Sequence, residues 1–416
     1  MITDLAGITV HIGFGADAVG GNYWVLDDPV KSELDNPLWV LAPDDVFVDI
    51  TSHVAAIQTN RGRERELDEY RTGKATVVFN DNDRTFDPAY SASPYFGEIV
   101  PMKRIAIRWY QTDLFNGWVD DWSVSYEPGD RLSRITADCV DGFAILANQQ
   151  LHEIGAAHSG DLTGERISRV LDMPEVNFPA TRNIDDGVSV LGATTFGGNV
   201  LAYLQACARA EAGYLFVDAD GVLTFRARTA SLNIPASSTF SDDRTAGIPY
   251  RNITQRTTGD LLYTYVTGES ETTSNPLDAI NEEAADQFLI RTLALGTLYT
   301  VNDNDTQNLI DYYLSRFSTP ELRFNSITLN LAALTTTQIQ QVVSLRLTDL
   351  VTVQRSPLSV GATIDRFSMV DGVSHRIARG GQWVTELSFA NADSRTFFQL
   401  DHPVFSQLDA GNRLAF

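Results

Sequence analysis

The stretch RGRERELDEYRTGKATVVFNDNDRTFDPAYSASPYFGE, residues 61–98, sets a dense charge run, a short strand and a turn-rich segment side by side. KATVVFN reads as a strand because Val, Val and Phe favour a pleated, half-buried surface. NDNDRTFDP then reverses the chain, since Asn and Asp side chains bond nearby backbone in turns. Phe86 is expected to anchor that turn in the core, Pro88 to stop the strand, and Tyr95 and Phe96 to return as packing.

Outward from this unit, residues 1 to about 145 read as mostly β. ITVHIGFG, WVLAPDDVFVDITSHV, KRIAIRWYQ, DLFNGWVDDWSVSYE and RLSRITADCVD are short runs rich in Val, Ile, Thr and aromatics with turn residues between them. In KRIAIRWY, Ile105, Ile107 and Trp109 alternate with Arg104, Ala106 and Arg108, the period of a strand with one buried face. Such runs imply a small barrel or sandwich.

The pattern changes near residue 146. GERISRVLDM places Ile167, Val170 and Leu171 at helical spacing, and Pro174 and Pro179 forbid extension. Val200, Leu201, Leu204 and Cys207 or Ala208 predict a second helix, with Gly213 as the left-handed residue that ends it. YLFVDADGVLTFRAR follows as a hairpin turning at Asp220-Gly221. Strands return after about 250, interrupted by a helix over DTQNLIDYYLSRF with Asp305 as its N-cap and a shorter one over TTTQIQQVVSLR. The fold class expected is therefore mainly β with a smaller α+β part: two β-barrel-like domains, 1–145 and 246–416, flanking a small mixed domain at 146–245.

The totals limit function. A chain of 416 residues, 43% hydrophobic and 20% charged, is an ordinary folded protein with room for more than one core. Its formal net charge of -23 opposes nucleic-acid binding by phosphate neutralisation. The two cysteines, Cys139 and Cys207, are far apart and form no CxxC pair, so neither a disulfide framework nor a structural zinc is implied. With acidic Asp4 near the start and no run of about 18 apolar residues, the chain is expected to be made and kept in the cytosol unless something larger carries it out.

No catalytic constellation stands out, and no cofactor is implied. Gly13 and Gly15 follow a strand, but the third glycine misses the dinucleotide spacing and a β-turn accounts for them. No phosphate loop, His-Glu-x-x-His or Gly-x-Ser-x-Gly occurs. His11, His53, His152, His158, His375 and His402 are scattered, without the i, i+4 pairing a metal helix needs. Three acidic groups, Asp81 with Asp83 and Asp87, Asp218 with Asp220, and Asn302 to Asp305, resemble calcium loops only in part and read as turns; no metal site is assigned. Trp118 and Trp122, four apart on one strand, would share a face, as a core pair or as a sugar platform.

Read together, RGRERELDEYRTG, NDNDRTFDP, SPYFG and the Phe115-x-Gly117-x-Val119 step resemble the opening domain of minor tail proteins of long non-contractile tailed phages, which belong with the tail-tip or baseplate hub proteins. VLAYLQACARAEAGYLFVDADGVLTFRAR is similar to their middle domain. LRLTDLVTVQRSP followed by DRFSMVDGVSHRIARGGQWVTELSFANAD is similar to their closing barrel. The resemblance spans nearly the whole chain and rests on pattern and order.

It implies a non-enzymatic virion protein at the distal end of the tail, synthesised in the host cytoplasm. It also implies a homotrimer forming a pseudo-sixfold ring that joins the tail tube to a spike or fibre and lines the DNA exit path. Partners would be a distal tail or tube protein above and a spike, fibre or tape measure protein below, with no sequence-specific nucleic-acid binding and no membrane insertion. In such a ring Arg61, Arg63, Arg65, Glu66 and Asp68 become candidate subunit-interface residues, because Arg offers carboxylates a rigid fork of donors. The alternative is a tail protein that binds host-surface carbohydrate or degrades cell wall, although no segment of domain size is left over to house that activity.

Overall fold

The computed structural model describes residues 7–15, 45–126, 133–152, 159–230, 234–256, 259–357 and 361–392, with short strands at 397–398 and 413–414. The first part of the strand expected at 39–54, and histidines 158 and 402, lie outside the described residues. The fold is mainly β with a small helical part.

A 14-stranded sheet draws on both strand-rich ends of the chain. Lys103–Trp109, Thr112–Tyr126, Ser133–Val140 and Arg71–Asn80 lie side by side, antiparallel, leading to Val54–Gly62. Val54–Gly62 then pairs with Ile364–Ala378, from Gly62 opposite Gly372 to Ala56 opposite Ala378. The strand Ile364–Ala378 carries Leu350–Arg355 along the first half of one edge and Val54–Gly62 along the second half. Gln382–Asn391 pairs along its other edge. Arg323–Asn330 and Asn252–Arg256 extend the sheet beyond Gln382–Asn391.

Alternation decides which side chains face inward. Ile105, Ile107 and Trp109 are buried as the sequence period predicts, and Phe86 is fully buried beneath the turn that follows Arg71–Asn80. Tyr95 stacks on Phe14 at 4.3 Å and on Phe86 at 5.6 Å. Phe96, expected to pack, is instead exposed, at 52%. Trp118 and Trp122 do not share a face. A bulge between Val119 and Asp121 places Trp118 opposite Val140 and Trp122 opposite Ala137, positions an odd number of residues apart on one strand, which therefore point to opposite sides. That geometry removes the basis for a two-tryptophan sugar platform.

The middle part holds the helices Thr163–Leu171 and Val200–Glu211 and the hairpin Tyr214–Val217 with Leu223–Arg226, turning at Gly221 with φ of 82°. Two caps differ from expectation. Ala212, not Gly213, takes the left-handed conformation, at φ 53°. Gly213 is small because a Cβ there would lie 2.7 Å from the Phe225 ring and 2.9 Å from the Arg226 carbonyl. The helix Asp303–Phe317 is capped by Asn302, whose side chain accepts from the Asp305 amide, so Asp305 lies inside the first turn.

A further unit was not anticipated as separate. Pro276–Ile280, Tyr265–Ser270 and Thr292–Leu298 form their own three-stranded sheet, with Asp303–Phe317 packed against it. The helix Glu282–Phe288, capped by Asn281, lies within this unit.

Ala212→Gly is expected to raise stability in chemical denaturation by up to about 1 kcal/mol, since glycine bears no Cβ penalty at positive φ. Gly213→Ala is expected to lower it; the reverse order would contradict this assignment of the cap.

Candidate assembly site: the charged arm

Arg61, Gly62 and Arg63 stand where the amino-terminal strands meet the carboxy-terminal ones. Gly62 has φ of 100°, and a Cβ there would lie 2.2 Å from the Asp371 carbonyl oxygen, so only glycine fits. Gly372 opposite is crowded in the same way, with the Arg63 carbonyl 2.9 Å from where its Cβ would be. The Arg63 amide donates to the Asp371 carbonyl at 2.9 Å. Asp371 itself is the residue at which the pairing of Ile364–Ala378 with Gln382–Asn391 shifts register.

Three ion-pair clusters fasten this seam. Arg63 donates from Nε and Nη2 to the two carboxylate oxygens of Asp371, at 3.0 and 3.2 Å, and its guanidinium lies 4.7 Å from the centre of the Tyr70 ring. Tyr70 donates its hydroxyl to Asp371 Oδ1 at 2.8 Å. Burial alone would lower the Arg63 pKa, but Asp371 outweighs it and holds the charge more firmly than usual.

In the second cluster Arg61 donates to Asp218 Oδ1 at 2.8 Å, and Arg346 reaches Asp218 Oδ2 at 2.9 Å and Asp220 at 3.1 Å. The hairpin of the middle part is thereby tied to both ends of the chain. Burial pulls the Arg61 guanidinium below its ordinary pKa even with Asp218 against it. Arginine nonetheless stays charged.

In the third, Glu66 accepts from Arg316 Nε at 2.8 Å and from Arg323 Nη1. Burial would raise the Glu66 pKa; Arg316 and then Arg323 reverse that and hold it below the usual carboxylate range. Beyond the arm, Asp141 accepts from the Gly73 amide at 2.6 Å and the Phe143 amide at 2.9 Å. Among the described residues no cation lies beside it, and burial pushes its pKa up to about 7 in spite of both amide donors.

The five residues singled out by sequence therefore divide. Arg61, Arg63 and Glu66 engage partners within the chain, while Arg65 is exposed and Asp68 half-buried, 3.8 Å from Arg71. Their partners Asp218, Asp371 and Arg316 lie 157, 308 and 250 residues away, so no local pattern announces them. A cleft of about 290 Å³ runs beside the arm, lined by Leu67, Tyr70, Gln205, Tyr214, Leu295 and Tyr313 among others.

The acidic groups behave largely as turns and pairs. Asp81 accepts from the Phe86 amide, Asp87 pairs with Arg84 at 2.8 Å, and Asp218 and Asp220 belong to the second cluster. His53, Asp81 and Asp83 each bring a ligand atom within 4.8 Å of the others. His375 is buried in the interior, where desolvation, helped by the Arg61 charge, drives its pKa down to about 3.

No protein-family model matches the chain, and no curated protein is similar to it in sequence. Among solved structures it is similar to the tail protein from Neisseria meningitidis MC58. The TM-score is 0.61 at 12% identity, over 93% of this chain and 97% of that one. It is also similar to the 43 kDa tail protein of prophage MuSo2 from Shewanella oneidensis, with a TM-score of 0.57 at 13% identity, over 83% of this chain and 96% of that one. At these identities the likeness is one of fold.

Glu66→Gln is expected to cost about 3 kcal/mol in urea denaturation, because it takes the Glu66 charge from the buried Arg323 and the half-buried Arg316; a change within error would contradict the clasp. For Asp141 the folded pKa is raised, so its contribution is present below the unfolded value of 3.8 and is lost as pH rises through about 7. Asp141→Asn should therefore show a smaller fall in stability than the parent chain from about pH 5 to about pH 8. Equal falls would show that Asp141 does not titrate there.

Proposed function

We propose that this chain is a structural protein of a phage tail, a hub at the tail tip of a long non-contractile tail. In this reading three copies form a ring that joins the tail tube to a distal spike or fibre, and the ring lines the DNA exit path. The observation that carries it is the end-to-end correspondence in fold with two tail proteins, over 93% and 83% of this chain. Sequence motifs across the same span support it independently.

The interior clasp suits such a role. A ring subunit under load must transmit force between its two ends without opening, and a continuous ladder fastened by buried ion pairs does this. The net charge of -23 is compatible with an acidic lumen, which would repel the phosphate backbone and let DNA slide. The proposal includes no catalysed reaction and no cofactor. Tail proteins above and below the ring are the partners it calls for, and the distal end of the virion tail is its place.

The purified chain, or the tail tip that contains it, is expected to show threefold symmetry by cryo-electron microscopy or analytical ultracentrifugation. A monomer at all concentrations, with no ring in particles, would overturn the proposal. Arg65→Glu, at an exposed position, should reduce particle assembly while leaving the melting transition in place. Arg61→Glu should instead abolish folding, because it sets a buried anion against Asp218.

A further inference from the structure

The inner face of the seam carries polar atoms that the fold leaves unmet. Thr59 Oγ1, His375 Nε2 and Arg61 Nε are buried and have no hydrogen-bond partner among the described residues. Thr59 and His375 are each 1% exposed and stand directly opposite one another across the ladder that joins the two ends of the chain. Thr385 faces His375 from the next strand, so Thr59, His375 and Thr385 form one polar row on the same side of three adjacent strands. Cβ atoms of directly opposed residues lie about 4.5–5.5 Å apart, a separation that a single small bridging species spans.

The chemistry of His375 fixes what such a species must do. Its Nδ1 lies 2.7 Å from Thr385 Oγ1 and 3.4 Å from the indole nitrogen of Trp383. An indole N–H only donates, so Nδ1 is the acceptor and the ring proton sits on Nε2. Nε2–H is thus an obligatory donor, as is the Nε–H of Arg61, two residues from Thr59 on the same strand. The Thr59 hydroxyl either donates or accepts. Buried donors of this kind are ordinarily satisfied, and an interior water meets them where polar groups converge.

We infer that the seam binds a small hydrogen-bond acceptor, a water molecule or a halide ion, held between His375 Nε2–H and the Thr59 hydroxyl with Arg61 Nε–H as a third donor. The bound species links the amino-terminal strand to the carboxy-terminal one through side chains, in addition to their backbone ladder. Because Asp218 already neutralises Arg61, a neutral acceptor suffices.

A high-resolution crystal structure of the full chain, grown with bromide and with anomalous data collected, tests this. Ordered density within hydrogen-bond distance of Thr59 Oγ1 and His375 Nε2 is expected, without an anomalous peak for water and with one for a halide. Thr59 and His375 packed dry, with no density between them, would overturn the inference. Thr59→Val keeps the shape and removes the hydroxyl, so the same density should be lost from the folded variant; density unchanged in that variant would exclude Thr59 as a ligand. Selective ¹⁵N labelling of histidine gives a second readout: His375 protonated on Nε2 is expected, and protonation on Nδ1 would contradict the donor assignment.

Discussion

Gly62 and Gly372 stand opposite each other on neighbouring strands, and the close approach they allow lets Arg63 close over Asp371. Both constraints act at one place, and the architecture on either side depends on it. A side chain at Gly62 would push the Asp371 carbonyl away, and with it the bulge from which the Asp371 carboxylate meets Arg63 and Tyr70. The amino-terminal strands would then lose the edge onto which they are built.

The surrounding ion pairs are better understood as devices of specificity than as a large net source of stability. Taking Arg61, Asp218, Glu66 and Arg323 out of water is costly, and their mutual attraction roughly offsets that cost. Any other register leaves several of these charges buried and alone, which is far less favourable. Because the three clusters join the arm to the middle hairpin, to the bulged strand and to the helix Asp303–Phe317, only one mutual arrangement of these parts satisfies all of them. The hydrophobic core supplies the driving force, and the charges select which arrangement it stabilises.

Much of the β framework was legible because it is written in local periodicity. The alternation in KRIAIRW, the apolar spacing of Thr163–Leu171 and Val200–Glu211, and the Asp220-Gly221 turn all appear in the structure. What was not legible depends on distant partners or on single-residue irregularities. The bulge after Val119 put Trp118 and Trp122 on opposite faces, and nothing in the residues themselves marks it. The helix Asp303–Phe317 begins two residues before DTQNLIDYYLSRF because Asn302, not Asp305, is its cap. Of the arm, the charge density was visible and its destination was not: Arg61 and Glu66 look like surface residues until Asp218, Arg316 and Arg323 arrive from far along the chain.

A chain fastened this way is expected to open as one body from its first described strand to its last sheet edge, as the proposed ring would require of a subunit. Native-state hydrogen exchange on the full chain tests that unity most directly. The amides of the ladder between Val54–Gly62 and Ile364–Ala378, those of Lys103–Trp109 and those of Gln382–Asn391 should all exchange with one common opening free energy. Two separate openings, one for the amino-terminal strands and another for the carboxy-terminal ones, would show that the seam does not bind them into a single unit.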